Sequence, residues 1–251
     1  MTTGAVIFAR NNEQIDYVAM AHWSAQNIER HLGIPTHIVT DNVLPTNTRH
    51  FSDVGNVTWY NLNRMDAYRL TPWDCTLVLD ADYVVASNQL QSILEADQDF
   101  LAHRWAYDVT GCNTFKELNY FGDHRMPMFW ATVMMFRRGR QAELIFDCMQ
   151  MVRDNWKHYK NLYKNNSPSY RNDHALSIAL GTVNGHTTKH NSIPWDLASL
   201  TPEHKLTQLD QDHYRVDFVN SNMKPRWIEL KNQDFHAMCK QQLGAIVANN
   251  S

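Results

Sequence analysis

An amphipathic helix set between two apolar strands, all within the first forty residues, leaves this chain few folds to choose from. Gly4-Ala-Val-Ile-Phe-Ala9 is apolar throughout and of strand length. From Glu13 to Leu32 the residues Val18, Ala21, Ala25, Ile28 and Leu32 recur at alternating spacings of three and four, which places them on one helical face. Gly33 and Pro35 stop that helix, and Thr36-His-Ile-Val-Thr40 predicts a second strand. A strand, a helix and a strand at this spacing indicate parallel pairing in a Rossmann-like α/β sheet.

Further strands are predicted at Asn56–Tyr60, through Thr76–Val85, at Asp99–His103, Phe129–Phe136, Tyr214–Val219 and Arg226–Leu230. A short helix is predicted over Asn88–Ala96. A long one starts near Gly139, with Ala142, Ile145, Met149, Val152 and Trp156 as its core face. Residues 106–128 have no period and are rich in turn formers, the mark of a functional or mobile segment. No internal repeat or low-complexity linker divides the chain, so the expectation is one domain over residues 1–251, mostly parallel at its centre and flanked by helices. With 43% apolar and 20% charged residues the composition is that of an ordinary soluble protein. No apolar stretch approaches a membrane span, and the start lacks the pattern of a signal peptide. Cys75, Cys112, Cys148 and Cys239 are scattered, without a Cys-x-x-Cys pair, and fit a reducing, cytoplasmic compartment.

The run Thr76-Leu-Val-Leu-Asp80-Ala-Asp82-Tyr-Val-Val85 carries the chemistry. A buried strand does not hold charge without a partner. Residues two apart on a strand share a side, so Asp80 and Asp82 can converge on one cation. Their hard oxygens suit Mg²⁺ or Mn²⁺ bridging the phosphates of a nucleotide. The bland alternative is a pair of solvated carboxylates at a strand end.

These residues resemble the Asp-X-Asp signature of glycosyltransferases of the GT-A fold. The wider segment Pro72-Trp-Asp-Cys-Thr-Leu-Val-Leu-Asp-Ala-Asp82 is similar to that family's Pro-Tyr-Asp-x-Thr-x-x-x-Asp-x-Asp. The resemblance implies a nucleoside-diphosphate sugar as donor, UDP-linked by preference, with a nucleotide-binding half at 1–105 and an acceptor half at 106–251. Ala9, Arg10 and Asn11 look like the loop that meets base and ribose, although Asn11-Asn12 would equally cap the helix that follows. Arg64 or Arg69 would hold the diphosphate, with Ala81 between the two carboxylates. The alternative for either arginine is a surface pair with Asp66 or Asp74.

Phe235-His236-Ala-Met-Cys-Lys240 resembles the closing His-x-x-Gly-x-x-Lys element of glycogenin-like retaining transferases. It departs in lacking the glycine and in placing the lysine four residues after the histidine rather than six. The resemblance makes His236 the third metal ligand and Lys240 a phosphate contact.

Arg171-Asn-Asp-His-Ala-Leu-Ser-Ile-Ala-Leu180 resembles a carboxylate-bearing segment of the same family, and also transferases encoded by bacteriophages. Asn172 or Asp173 can cap the helix that follows. The resemblance adds a role for them at the sugar and acceptor: Asp173 as base in an inverting enzyme, or as an orienting group in a retaining one, which the C-terminal element favours. It also implies an acceptor side containing His174, Trp130, Trp195 and Asp196, although the apolar neighbours of Trp130 favour packing in the core.

Charge is uneven: residues 1–136 carry a net −7, residues 137–171 a net +5 and the remainder −1. Arg153, Lys157, Lys160 and Lys164 follow at spacings of four, three and four, which predicts one cationic stripe if the helix continues that far. Such a stripe can track phosphates, with Tyr159, Tyr163 and Tyr170 to stack on bases, or can simply be a solvated face. Together with the phage resemblance it points to a hydroxymethylated pyrimidine in DNA as acceptor, in a host cytoplasm, with a glycan or protein as the alternative. Two other readings stand: a sugar nucleotidyltransferase, disfavoured because Gly4 is the only glycine before Gly33, and a non-catalytic nucleic-acid-binding module.

Overall fold

The computed structural model describes residues 1–40, 63–167, 169–186 and 192–250. Along the chain run β1 (Thr3–Phe8), α1 (Tyr17–Leu32), β2 (Thr36–Val39), the single turn α2 (Ala67–Leu70), β3 (Cys75–Asp80), β4 (Tyr83–Val84) and α3 (Gln91–Leu94). Next come β5 (Phe100–His103), β6 (Ala106–Asp108), β7 (Tyr120–Phe121), β8 (Met126–Pro127), β9 (Trp130–Arg137), α4 (Arg140–Asp154), α5 (Trp156–Leu162) and α6 (Asn172–Val183). The last are β10 (Leu197–Leu200), β11 (Lys205–Asp210), β12 (His213–Val219), β13 (Pro225–Lys231), β14 (Phe235–Ala237) and α7 (Lys240–Asn249). The strand expected at Asn56–Tyr60 lies outside the described residues.

The main sheet has the order β2–β1–β3–β9–β5. β1 pairs parallel with β2 and β3, as the strand–helix–strand spacing requires. β9 runs antiparallel to both β3 and β5, so the sheet is mixed rather than mostly parallel. Three smaller sheets accompany it: β4–β14–β10–β6, the meander β11–β12–β13, and the β7–β8 pair. The segment 106–128, aperiodic in sequence, thus holds three short strands and a 3₁₀ turn.

Alternation along the strands divides the core. Ala5, Ile7, Leu77, Leu79, Val133 and Met135 face one cluster, with α1, α7 and the second sheet. Val78, Met134 and Phe136 face another, with α4 and α6. α1 begins at Tyr17 rather than Glu13. Asn12 Oδ1 accepts from the amides of Gln14 and Ile15, making a turn there, and Asp16 caps the helix by accepting from Ala19 N at 2.9 Å. Gly33, at φ 65°, ends it as expected. Among the described residues no helix is long and apolar enough to cross a membrane.

Candidate functional site

The run Thr76–Val85 is two strands, not one. β3 ends at Asp80, Ala81 and Asp82 make a turn, and β4 then enters the second sheet. Asp80 and Asp82 therefore converge through a turn between sheets rather than through the pleat of one strand. Asp80 sits in register with Phe8, at the carboxyl end of the parallel strands where α/β sheets open a ligand crevice.

Pairing between β14 and β4 brings in the C-terminal histidine. His236 is in register with Tyr83, and Ala237 N donates to the Asp82 carbonyl at 2.9 Å. Ligand atoms of Asp80, Asp82 and His236 all lie within 4.8 Å of one another. Asp82 is buried; the Asp80 side chain is 19% exposed, so the cluster is reached from the Asp80 side.

Cations of the chain surround it. His236 Nε2 lies 3.4 Å from Asp82 Oδ1, and Lys240 Nζ lies 3.1 Å from Asp82 Oδ2 and over the Tyr17 ring. Arg64, from the turn before α2, is buried and donates to Asp80 and to the Ala131 carbonyl. Burial pushes the Asp82 carboxyl up, but Lys240 and His236 outweigh it and hold Asp82 well below the usual carboxylate range. Burial pulls His236 and Lys240 down, and the Asp82 charge leaves both raised.

Two carboxylates and an imidazole are a donor set that Mn²⁺ or Mg²⁺ accepts. Among the described residues the buried His236 Nδ1 has no hydrogen-bond partner, while Nε2 faces the carboxylates. The residues fit a divalent cation.

The other predicted residues fall into two groups. Ala9, Arg10 and Asn11 follow β1 beside Asp80; Ala9 N extends the pairing to Val39 O at 2.9 Å, and Asn11 Oδ1 accepts from Val18 N at 2.8 Å, the capping role. Asp173 lies in the first turn of α6 and is half-buried. Its Oδ1 accepts from Ala131 N at 2.9 Å and its Oδ2 from Arg171 at 2.6 Å. Burial pushes its carboxyl up, yet the Arg171 charge and the Ala131 amide leave it lowered. Asn172 Oδ1 accepts from the Tyr170 hydroxyl at 3.2 Å. Arg64 and Asp173 thus grip the two polar ends of Ala131, an alanine in no motif.

The remaining residues are taken up by surface pairs, by core packing or by loops. Arg69 is exposed and pairs with Asp66, a helix-surface pair rather than a phosphate contact. His174 is buried, stacked on Trp156 with ring centroids 5.8 Å apart and paired with Asn165, so it is a core residue and not an acceptor contact. Trp130 is buried against Phe115 and offers no open ring. Trp195 is half-buried, its carbonyl accepting from His103 Nδ1 at 3.0 Å; Asp196 beside it is exposed.

The cationic stripe does not form. Asn155, at φ −123°, breaks the helix between α4 and α5. Arg153 is buried against Asn63 and Asp154, Lys157 is exposed on a different helix, and Lys164 lies past the end of α5 and pairs with Asp123 at 3.9 Å. Arg137 and Arg138 bond backbone carbonyls, and Arg140 pairs with Glu143.

No protein-family model matches the sequence, and no curated protein sequence matches it. Among solved structures the chain is similar to the glycosyltransferase GlyE of Streptococcus pneumoniae TIGR4, with TM-score 0.43 and 14% identity over 77% of this chain. It spans 46% of that chain, less than half its length. It is also similar to the galactosyltransferase LgtC, solved with donor and acceptor sugar analogues (TM-score 0.41, 16% identity, 69% of each chain). A third is a glycosyltransferase involved in glycosylation of the major capsid of PBCV-1 (TM-score 0.41, 12% identity, 78% of this chain and 84% of that one). Likenesses this loose assign no residue and no substrate.

Proposed function

We propose that this chain is a divalent-cation-dependent glycosyltransferase that moves a sugar from a nucleoside-diphosphate sugar, UDP-linked by preference, to a hydroxyl acceptor. The observation that carries the reading is the convergence of Asp80, Asp82 and His236 within 4.8 Å at the carboxyl end of β3, with Lys240 beside them. A bound Mn²⁺ or Mg²⁺ supplies positive charge to the diphosphate as it departs.

The chain's residues do the rest. Asp80, Asp82 and His236 would hold the ion. Lys240 is a flexible ammonium at the rim of the cluster, placed to turn from Asp82 to a phosphate oxygen. Arg64, held between Asp80 and Ala131, positions Asp80 at the rim of the diphosphate site. Asp173 favours the retaining route: its oxygens already accept from Ala131 N and Arg171, and its carboxyl is lowered, so it is a weak base and a good orienting group. On that route the acceptor proton passes to a leaving phosphate oxygen.

Thermal unfolding with UDP and a panel of nucleotide sugars, in Mn²⁺ and again in EDTA, tests the reading. A ligand bound to the native state alone stabilises by about 2.7 kcal/mol at a hundred times its Kd. The expected rise requires nucleotide and metal together and is absent in Asp80→Asn and Asp82→Asn. No rise with any nucleotide overturns the proposal.

A further inference from the structure

The acceptor residues expected from sequence are largely interior, yet the second sheet presents an aromatic surface outside every motif. Trp105 and Tyr107 flank Ala106 on the edge strand β6 and are each 41% exposed; Tyr120, at the start of β7, is 37% exposed. Guanidinium planes join the rings. Arg104 lies 3.9 Å over Trp105 and 5.1 Å from the Tyr120 ring, and Arg125 lies 4.9 Å from Tyr120. Arg125 also lines a cavity of about 520 Å³ with His124, His186, Phe129 and Tyr163, and among the described residues no Asp or Glu lines it. That volume is in the range of small-ligand sites.

The strand that carries Tyr107 belongs to the same small sheet as His236. Ser199 of β10 is in register with His236 on one side and with Asp108 on the other, so Asp108 stands two strands, about 10 Å, from His236. Tyr107 is its neighbour, and the Tyr107 hydroxyl accepts from Gln233, three residues before His236.

We propose that Trp105, Tyr107 and Tyr120, with the adjoining cavity, dock a carbohydrate chain as the acceptor of the transfer; the inference rests on the transferase reading. A pyranose has an apolar C–H face and a polar rim. Exposed rings that carry an N–H or O–H at the edge match both. Histidine and arginine in the cavity supply donors for hydroxyl oxygens.

A nucleic acid needs a row of cations for its phosphates. Here Arg104 is committed to the carbonyls of Asn119 and Met128 at 2.9 and 3.0 Å, so its charge is not open to a phosphate. Three rings also fall far short of the roughly 800 Å² per partner of a stable protein interface.

The test uses the full chain and variants checked for unchanged thermal stability. Wild type, Trp105→Ala, Trp105→Phe and Tyr107→Ala are applied to a glycan microarray and titrated with a 20-base-pair duplex containing hydroxymethylcytosine. Hydrolysis of nucleotide sugars in Mn²⁺, without acceptor, is measured in parallel.

The expected result is retention of array glycans, weakened at least tenfold by Trp105→Ala and kept by Trp105→Phe, with hydrolysis of the donor unchanged. No glycan retained, equal retention by Trp105→Ala, or duplex binding that depends on Trp105 each overturns the inference. Absence of donor hydrolysis with every nucleotide sugar counts instead against the transferase reading, because glycan retention is read without a donor.

Discussion

His103 and His174 are both buried, and burial holds each imidazole down at a pKa of about 4; for His174 the Arg171 charge adds to this. The unfolded chain binds their protons near pH 6.5 and the folded one near 4. Their contribution to stability is therefore complete above 6.5 and is lost as pH falls through that window. Each is on the order of 3 kcal/mol. Urea unfolding between pH 7.5 and 4.5 should show this loss, and His103→Asn, which keeps a donor for the Trp195 carbonyl, should flatten it; an unchanged acid slope refutes the assignment.

Arg64 makes a second case. Replacing it with Met removes the buried cation from Asp80 and the donor from the Ala131 carbonyl, at a cost of about 3 kcal/mol in urea unfolding. The two carboxylates were legible because a charge inside an apolar run needs a partner. The partner was not, since it arrives from a separate turn through contacts that have no sequence period. His174 shows the converse: a histidine beside an aspartate reads as chemistry, while Trp156 and Phe121, which bury it, come from distant positions.

At the level of elements, periodicity located α1, the start of α4 and the β1–β2 pair well, because apolar spacing follows directly from the helix and strand repeats. It missed the direction of β9, which depends on how 106–128 returns to the sheet, and the break at Asn155, where the apolar stripe runs on to Trp156 although the backbone does not. The β7–β8 turn gives a prediction of its own. Gly122 has φ 64°, and a Cβ there would meet the Tyr163 carbonyl at 1.9 Å. Gly122→Ala therefore forces this turn off the end of α5 and should destabilise by about 2 kcal/mol or more, read as a lowered Tm. A variant as stable as wild type would mean that the turn is not packed there.

For the molecule as a whole, the sheet carries two cores, and among the described residues the cluster of carboxylates and imidazole that could hold a metal ion lies where β3 passes into β4. Arg64 and Lys240 already neutralise its carboxylates, so the fold does not depend on a cation. In buffer without added metal or nucleotide, EDTA should leave Tm unchanged; a fall would show that the ion is structural. The cluster was readable in outline from the Asp80/Asp82 run and the His236 segment. The dispersal of the basic residues was not, because it turns on which of them the tertiary contacts draw inward.

Arg64 and Asp173 both hold Ala131, one by its carbonyl and one by its amide. The interval between the Asp80 and Asp173 carboxylates is consequently set by main chain in the middle of the molecule, not by the loops around it. It acts as a fixed gauge. On the proposed transferase reading, changes in those loops would alter which molecules gain entry, while the length of the piece that fits between the two carboxylates would be the same for all of them.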